Sequence, residues 1–206
     1  LSGKSNVLAK AQEFGVDIAS KDPKLLTLLA DLKRLEAEGY SFEGADASFQ
    51  LLMRKALDGG RHEFFRLIGF RVIDEKRTAG DVPIAEATIM VEGPDGTVEH
   101  TAAQGRGPVD ALDGALRKAL VKFYPEIASV RLHDYKVRVL GSDRGTGAVV
   151  RVLIESGDDL ERWCTVGVSH DLIEASWQAL VDSMDHKLHK ERRPGRRRRA
   201  EAARGS

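Results

Sequence analysis

A glycine-rich segment, Gly105-Arg106-Gly107-Pro108-Val109-Asp110, combines residue types that can bind an anion with the pattern of a helix start. Glycine lets the backbone approach another group closely, and proline is favoured at the first position of a helix. The first amide groups of a helix have no partner within it and attract carboxylates. The segment therefore indicates either a site for a carboxylate or a strand-to-helix turn that needs glycine only for its geometry.

A second candidate is the sequence His133-Asp134-Tyr135, at the start of a stretch with strand character. A carboxylate within a strand is costly to bury unless a cation pairs with it. Asp134 therefore indicates either a group that binds an ammonium ion or an exposed residue at a strand edge. The sequence leaves both interpretations open.

Other reactive residue types do not form recognisable arrangements. No nucleophile and base stand at a known spacing in the sequence. His186 and His189 have a spacing that can hold a metal on one helix face, but no further ligands cluster with them, and we expect solvated side chains there. We predict no catalytic residue and no metal site in this chain.

The elements that would position the candidate residues form a repeat. The ranges 65–124 and 131–187 are two copies of one unit, about 64 residues apart. Each copy contains three apolar, β-branched stretches and closes with an alanine-rich helix, a pattern that predicts a βββα unit. The predicted strands are 63–77, 84–92, 97–103, 131–141, 148–156 and 160–167, and the predicted helices run from Pro108 to about Tyr124 and from Ser169 or Asp171 to about Leu188.

The first part of the chain has a helical pattern instead. Asp22 and Pro23 form a helix start and Gly39 a helix end, and a further helix begins at Asp46 or Ser48. These helices share too little apolar surface for a core of their own. We predict an α+β fold with a helical connector at 1–60 and a pseudo-two-fold repeated domain at 61–190, whose copies lie at about 63–125 and 130–188. A disordered basic tail follows at 191–206.

Composition narrows the possible functions. The 206 residues are 42% hydrophobic and carry 32 basic and 32 acidic side chains, but nine of the basic ones lie in the last part, 186–206. The arginine-rich segment 192–199 could bind nucleic acid or another polyanion, yet it lacks the aromatic residues of single-strand sites, and we favour a solvated extension. The single cysteine, Cys164, fits a reducing cytoplasm, and no apolar run is long enough to predict a membrane span.

Several motifs together resemble the 2-isopropylmalate and homocitrate synthase family, and in particular its citramalate synthases. The segments 1–6 and 39–49 resemble the region that follows the family's catalytic barrel. The stretch 105–111 resembles its regulatory domain, as do 132–137, 145–148 and 169–176. The resemblance covers about residues 1–188 and implies that the chain is a fragment of a longer enzyme.

The resemblance implies a function for the fragment. Enzymes of this family condense acetyl-CoA with a 2-oxo acid, which is pyruvate in citramalate synthase, on a barrel that holds a divalent metal and is absent here. The regulatory domain dimerises and binds the end-product amino acid, isoleucine or leucine, and this binding inhibits the distant active site. The resemblance thus implies feedback regulation by an amino acid in branched-chain amino acid biosynthesis, with no cofactor in the fragment itself.

The same resemblance implies which residues contact the effector. Gly105, Gly107 and Val109 would lie against it, and the helix start at 107–110 would bind its carboxylate. Asp110 and Asp134 are the candidates for its ammonium group. The side-chain pocket would be lined by Leu132, Tyr135, Val139 and Ala148. A purely structural dimerisation module, motivated by Arg106 at a position where the family often has a small polar residue, is the alternative.

Overall fold

The computed structural model describes residues 3–58, 64–141 and 148–192. The chain divides into two compact units. Unit one comprises Leu1–His62 and Arg131–Ser183, and unit two comprises Glu63–Val130 and Met184–Ser206. The functional division into connector, repeated domain and tail stays a prediction, and the tail from residue 193 onward lies outside the described residues.

Three helices precede the first sheet and one long helix follows the second. The elements in chain order are α1 (Lys4–Glu13), α2 (Pro23–Glu38), α3 (Asp46–Asp58), β1 (Arg66–Glu75), β2 (Ile84–Glu92), β3 (Val98–Gly105), α4 (Pro108–Leu120), a 3₁₀ helix (Pro125–Ser129), β4 (Arg131–Leu140), β5 (Val149–Gly157), β6 (Arg162–Ser169) and α5 (Leu172–Glu191). Both sheets are antiparallel, with the orders β1-β2-β3 and β4-β5-β6. The predicted α+β fold with two βββα repeats is confirmed.

Local signals fix several boundaries as the sequence predicts. The Asp22 side chain accepts a hydrogen bond from the Lys24 amide at 2.9 Å, so it caps α2, and Gly39 ends that helix in a left-handed conformation. Asp171 caps α5 by accepting from the Glu174 amide at 2.8 Å. These boundaries depend on neighbouring residues only, which is why the sequence predicts them.

The predicted extension of α4 to Tyr124 is wrong. The helix ends at Leu120, and the Lys122 and Phe123 amides close a tighter turn by donating to the carbonyls three residues earlier. Pro125 disfavours a helical conformation for Tyr124, whose φ is −136°. The tyrosine hydroxyl instead donates to the Phe64 carbonyl at 2.6 Å. The sequence analysis also missed the short helix that begins at Pro125.

In unit two, α4 packs on one face of the first sheet. Its buried side chains recur at helical spacing and are small where the helix meets the strands, which lets the layers approach closely. They face alternate residues of β2, which are buried while their neighbours are not. The core between this helix and the sheet includes Ala85, Ala87, Ile89, Val91, Ala111, Leu112, Ala115, Leu116, Ala119 and Leu120.

In unit one, both faces of the second sheet are covered. The part of α5 that belongs to this unit packs on the face that carries Thr165, whose hydroxyl donates to the Ala179 carbonyl at 2.7 Å. The three N-terminal helices cover the opposite face. Their shared core contains Val7, Leu25, Leu28, Leu32, Phe42, Phe49, Met53, Val166 and Val168. The N-terminal helices therefore share one core with the second sheet.

Candidate functional site

The first glycine of the candidate anion-binding segment is required by packing. Gly105 ends β3, and a Cβ at this position would stand 2.3 Å from the backbone nitrogen of Ala111 in the first turn of α4. The group that approaches this glycine closely is therefore the helix that follows it. At Gly105 the structure supports the geometrical interpretation of the motif.

The second glycine has no such role. Gly107 is the N-cap of α4 in extended conformation, and a Cβ there would meet nothing within 4 Å. Because glycine has no side chain, no hydrogen bond caps the start of the helix at this residue, and Pro108 follows at the first helical position. The start of α4 is thus open in front of Gly107, with the half-buried Val109 as the next residue. This geometry suits a carboxylate that accepts hydrogen bonds from the first amide groups of the helix.

Asp110 stabilises the turn between β3 and α4. Its Oδ2 accepts a hydrogen bond from the Arg106 amide at 2.9 Å, and its side chain is exposed. One carboxylate oxygen is thus engaged within the turn. An acidic residue in the first turn also interacts favourably with the positive end of the helix dipole. The Arg106 residue is exposed.

The apolar candidates in unit one share one face of β4. In the register of β4 with β5, Leu132 stands opposite Ser156 and Tyr135 opposite Ile154, and both partners are buried. Val139 stands opposite Val150 on the same face. Tyr135 and Val139 share a face because side chains alternate along a strand, and a bulge between Leu132 and Asp134 brings Leu132 to the same face, which packs against α5.

Val137 belongs to the same face and was missed by the sequence analysis. It stands opposite the buried Val152. The exposed fraction is 44% for Val137 and 56% for Val139, so the far end of this apolar face is open. Strict alternation from Tyr135 would have identified Val137 in the sequence.

Tyr135 is the polar member of this face. Its hydroxyl lies 2.9 Å from the Ser176 Oγ on α5, and the Ser176 hydroxyl donates a hydrogen bond to the Leu172 carbonyl at 2.7 Å. Because the single hydroxyl hydrogen of Ser176 is engaged in that bond, Tyr135 is the donor in the bond between the two side chains. Ser176 was not among the predicted site residues, since only the tertiary packing brings it to the strand.

Asp134 lies on the opposite face of the strand. It stands opposite Glu155, its Oδ2 pairs with the Lys136 Nζ at 2.7 Å, and its Oδ1 accepts from the Tyr135 amide at 2.9 Å. The ammonium group of Lys136 and this amide lower the pKa of the Asp134 carboxyl below its ordinary value. Alternation places Asp134 on the face opposite Tyr135, and the bulge between Leu132 and Asp134 separates it from Leu132 as well. The structure therefore separates Asp134 from the apolar candidates.

The last candidate, Ala148, is buried and immediately precedes β5. The neighbouring positions of its motif, 145–147, lie outside the described residues. The Gly-x-Gly candidates belong to unit two and the β4 candidates to unit one. The role of each set in effector binding stays a prediction.

The paired histidines near the chain end are packing residues in unit two. His186 is buried, and the His189 ring lies edge to face with Phe64 at a centroid distance of 4.7 Å. The expectation of solvated side chains is therefore wrong. Within 3–58, 64–141 and 148–192 there is no group of three or more His, Cys, Asp or Glu side chains that could hold a metal. Of the helices described, none is long and apolar enough to cross a membrane.

The chain is similar in sequence to (R)-citramalate synthases over most of its length. The chain is 60% identical over 190 residues to an (R)-citramalate synthase of Geobacter sulfurreducens. The aligned region covers 92% of this chain and 36% of that protein. The (R)-citramalate synthase of Aquifex aeolicus is 47% identical over 195 residues, 95% of this chain and 37% of its own length. The (R)-citramalate synthase of Synechocystis sp. is 48% identical over 190 residues, which are 91% of this chain and 34% of that protein.

The chain thus spans roughly a third of the length of these relatives, as the 36% coverage of the first shows. The sequence model of the LeuA allosteric (dimerisation) domain matches residues 43–188, which include α3, both sheets, α4 and most of α5. Because this match covers more than half of the chain, the protein belongs to the LeuA allosteric (dimerisation) domain family.

Proposed function

We propose that this chain is the amino-acid-binding regulatory region of a citramalate synthase that condenses acetyl-CoA with pyruvate, and that isoleucine is its effector. Effector binding would inhibit the catalytic part, and the regulatory region would also hold two copies of the enzyme together. The similarity to (R)-citramalate synthases and to an allosteric domain family supports this proposal. The single cysteine supports a cytoplasmic location.

The open end of the β4 face is the observation that carries the proposal. Tyr135, Val137 and Val139 present an apolar strip, of which the valines are half exposed although α5 covers the same face elsewhere. A branched aliphatic side chain of a ligand would bury this strip, with a gain of roughly 25 cal/mol per Å² of apolar area removed from water. Discrimination between isoleucine and leucine would then depend on the shape of this surface.

Candidates for the polar groups of an amino acid lie in each unit separately. In unit two, the first amide groups of α4 are a candidate for a carboxylate, because Gly107 leaves that helix start without a side-chain cap. Asp110, in the same turn, keeps one carboxylate oxygen for an ammonium group. Asp134 is the weaker candidate, since Lys136 already neutralises it.

Titration calorimetry of this chain with isoleucine, leucine and valine tests the proposal. We expect heat of binding with isoleucine, and its loss in Val139→Asp, which places a carboxylate on the apolar strip. Val82→Asp is the matched control, because Val82 is 82% exposed in a loop and both variants add the same charge. Absence of heat with all three amino acids at millimolar concentration would contradict amino-acid sensing.

A dimerisation module without an effector is the second candidate function. The observation in its favour is that Asp110 and Asp134, the predicted ammonium partners, are both engaged by groups of the chain itself. This function predicts a dimer in light scattering whose melting temperature does not rise with isoleucine, leucine or valine. A rise with any of them would exclude it.

The catalytic steps lie outside this chain in either case. The divalent metal that the proposed condensation needs does not fit the described residues, which contain no suitable group of ligands. We therefore place the metal and the reacting groups in the part of the relatives' length that this chain does not span.

A further inference from the structure

The outer edge of β6 is held by side chains and not by another strand. β6 is the last strand of its sheet, so alternate amides along it point away from β5. The Val168 amide donates to the Gln178 Oε1 on α5 at 2.9 Å. The Tyr40 hydroxyl, just after α2, donates to the same oxygen at 2.8 Å. One amide side chain therefore ties the strand edge, α5 and the end of α2 together.

A second connection lies two residues earlier on the same edge. The Val166 amide donates to the Ser48 Oγ at 3.0 Å, and the Ser48 hydroxyl donates to the Asp182 Oδ2 at 2.5 Å. Ser48 is in the first turn of α3 and Asp182 is on α5, four residues after Gln178. We call Tyr40, Ser48, Gln178 and Asp182 the clasp. It joins the N-terminal helices to α5 through polar side chains, of which Ser48 is buried and the other three are half-buried.

The same helix reaches the candidate effector face. Ser176, which accepts from the Tyr135 hydroxyl, precedes Gln178 by two residues and Asp182 by six. At a rise of about 1.5 Å per residue, the contact with β4 and the far end of the clasp are about 9 Å apart along α5. Residues 178 and 182 share one side of the helix, and residue 176 lies on another.

We propose that α5 relays occupancy of the β4 face to the N-terminal helices, with Gln178 and Asp182 as its coupling residues. This inference rests on the proposed function, because it concerns the regulation of that same site. A ligand on the β4 face acts on Tyr135 and through Ser176 on the first turns of α5. The clasp bonds are 2.5 to 3.0 Å long, so a displacement of α5 by a few tenths of an ångström changes their strength.

Amide hydrogen exchange at Val166 and Val168, followed by NMR in this chain, measures the state of the clasp. We expect isoleucine to slow exchange at both amides by about threefold relative to amides at the centre of the same sheet. Gln178→Met removes the acceptor while keeping the length of the side chain. In this variant isoleucine should bind with the same affinity, and its effect on the Val166 and Val168 amides should be lost.

A variant without ligand separates the relay from effector binding. Tyr135→Phe removes the bond to Ser176 and should accelerate exchange at Val166 and Val168 in the absence of any amino acid by about threefold. The matched control is Tyr124→Phe, which removes a tyrosine hydroxyl bond to a carbonyl in unit two and should leave both amides unchanged.

The outcomes distinguish the two proposals. If isoleucine gives no heat of binding but Tyr135→Phe accelerates exchange at the Val166 and Val168 amides, the proposed effector is refuted and the connection between β4 and the clasp through α5 is supported. The relay is refuted if isoleucine binds with measurable heat but leaves amide exchange at Val166 and Val168 unchanged. It is also refuted if isoleucine slows exchange at these amides as strongly in Gln178→Met as in the unaltered chain. Equal exchange in Tyr135→Phe and the unaltered chain refutes it as well.

Discussion

Thr101 and Thr165 occupy equivalent positions in the two βββα units. Each is buried on the third strand of its sheet, and each hydroxyl donates to a helix carbonyl fourteen residues later, Thr101 to Ala115 at 2.9 Å and Thr165 to Ala179 at 2.7 Å. The two threonines are 64 positions apart, which matches the period of the sequence pattern. The internal repeat therefore extends to individual hydrogen bonds.

Removal of either hydroxyl should cost a similar amount of stability. Thr101→Val and Thr165→Val keep the shape of the side chain but place a methyl group where a hydrogen bond formed. We expect each to lower the free energy of unfolding by about 1 kcal/mol in urea denaturation. Thr27→Val, at an exposed position of α2, is the control and should have little effect. A large difference between the two buried sites would mean that the units are not energetically equivalent.

The two glycines of the 105–110 segment should respond differently to alanine. Gly105→Ala places a Cβ 2.3 Å from the Ala111 nitrogen, so strand or helix must move, at a cost of about 3 kcal/mol or more. Gly107→Ala meets nothing within 4 Å and has an extended backbone that any residue adopts. Melting temperatures should therefore fall strongly for the first variant and hardly change for the second. Equal losses would show that the turn is not packed as described.

An ion pair with a buried carboxylate should couple α4 to Val130 in unit two. Asp113, with 5% of its side chain exposed, accepts from the Arg117 Nη2 at 2.6 Å, and the Arg117 Nη1 donates to the Val130 carbonyl at 2.9 Å. Burial raises the pKa of the Asp113 carboxyl, and the guanidinium opposes this effect. Arg117→Met leaves the carboxylate buried without a cation and should cost about 3–5 kcal/mol at pH 7.

The double variant Asp113→Asn with Arg117→Met tests the reason for that cost. Since it removes both charges, it should be more stable than Arg117→Met alone, as urea denaturation at pH 7 would measure. Lys33→Met removes an exposed cation on α2 and is the control for loss of a charge. Equal stability of the single and double variants would mean that the buried carboxylate is not the source of the loss.

Sequence reasoning was accurate where the determinants are local. The caps at Asp22 and Gly39 and the strand Ile84–Glu92 follow from neighbouring residue types. The turn after β2 is equally local, since Gly96 adopts a left-handed conformation there and its amide donates to the Gly93 carbonyl. Such signals act within a few residues, so they survive without knowledge of the tertiary fold.

The determinants that escaped prediction are long-range. Ser48 and Asp182 are 134 positions apart, and neither residue type signals that the Asp182 carboxyl will accept a hydrogen bond from the Ser48 hydroxyl. The bulge between Leu132 and Asp134 places Tyr135 on the same face as Leu132 and leaves Asp134 on the opposite face. A periodic pattern assigns residues to faces only while the register is regular, so the separation of Asp134 from Leu132 could not be derived from it.

The Asp182 carboxyl should make stability depend on pH. Burial raises its pKa to about 7, while the Ser48 hydroxyl and the more distant Lys55 on α3 oppose the shift. Tyr40 also faces this carboxyl, and burial and the Asp182 charge raise the pKa of its phenol. Asp182 ionises near 3.9 in the unfolded chain, so between about pH 4 and 7 the folded state binds the additional proton.

The sign of the effect follows from this difference. The stabilising contribution is complete below about pH 4, is lost as pH rises to about 7 at up to roughly 1.4 kcal/mol per pH unit, and stays constant above that. Asp182→Asn keeps an acceptor for Ser48 but cannot ionise, so its free energy of unfolding should fall less than that of the unaltered chain between pH 4.5 and 8. Urea denaturation at both pH values measures this, with Asp159→Asn, an exposed loop position, as control. If Asp182→Asn shows the same pH dependence as the unaltered chain, the carboxyl is ionised in the folded state, and the clasp contains a buried charge instead of a neutral acid.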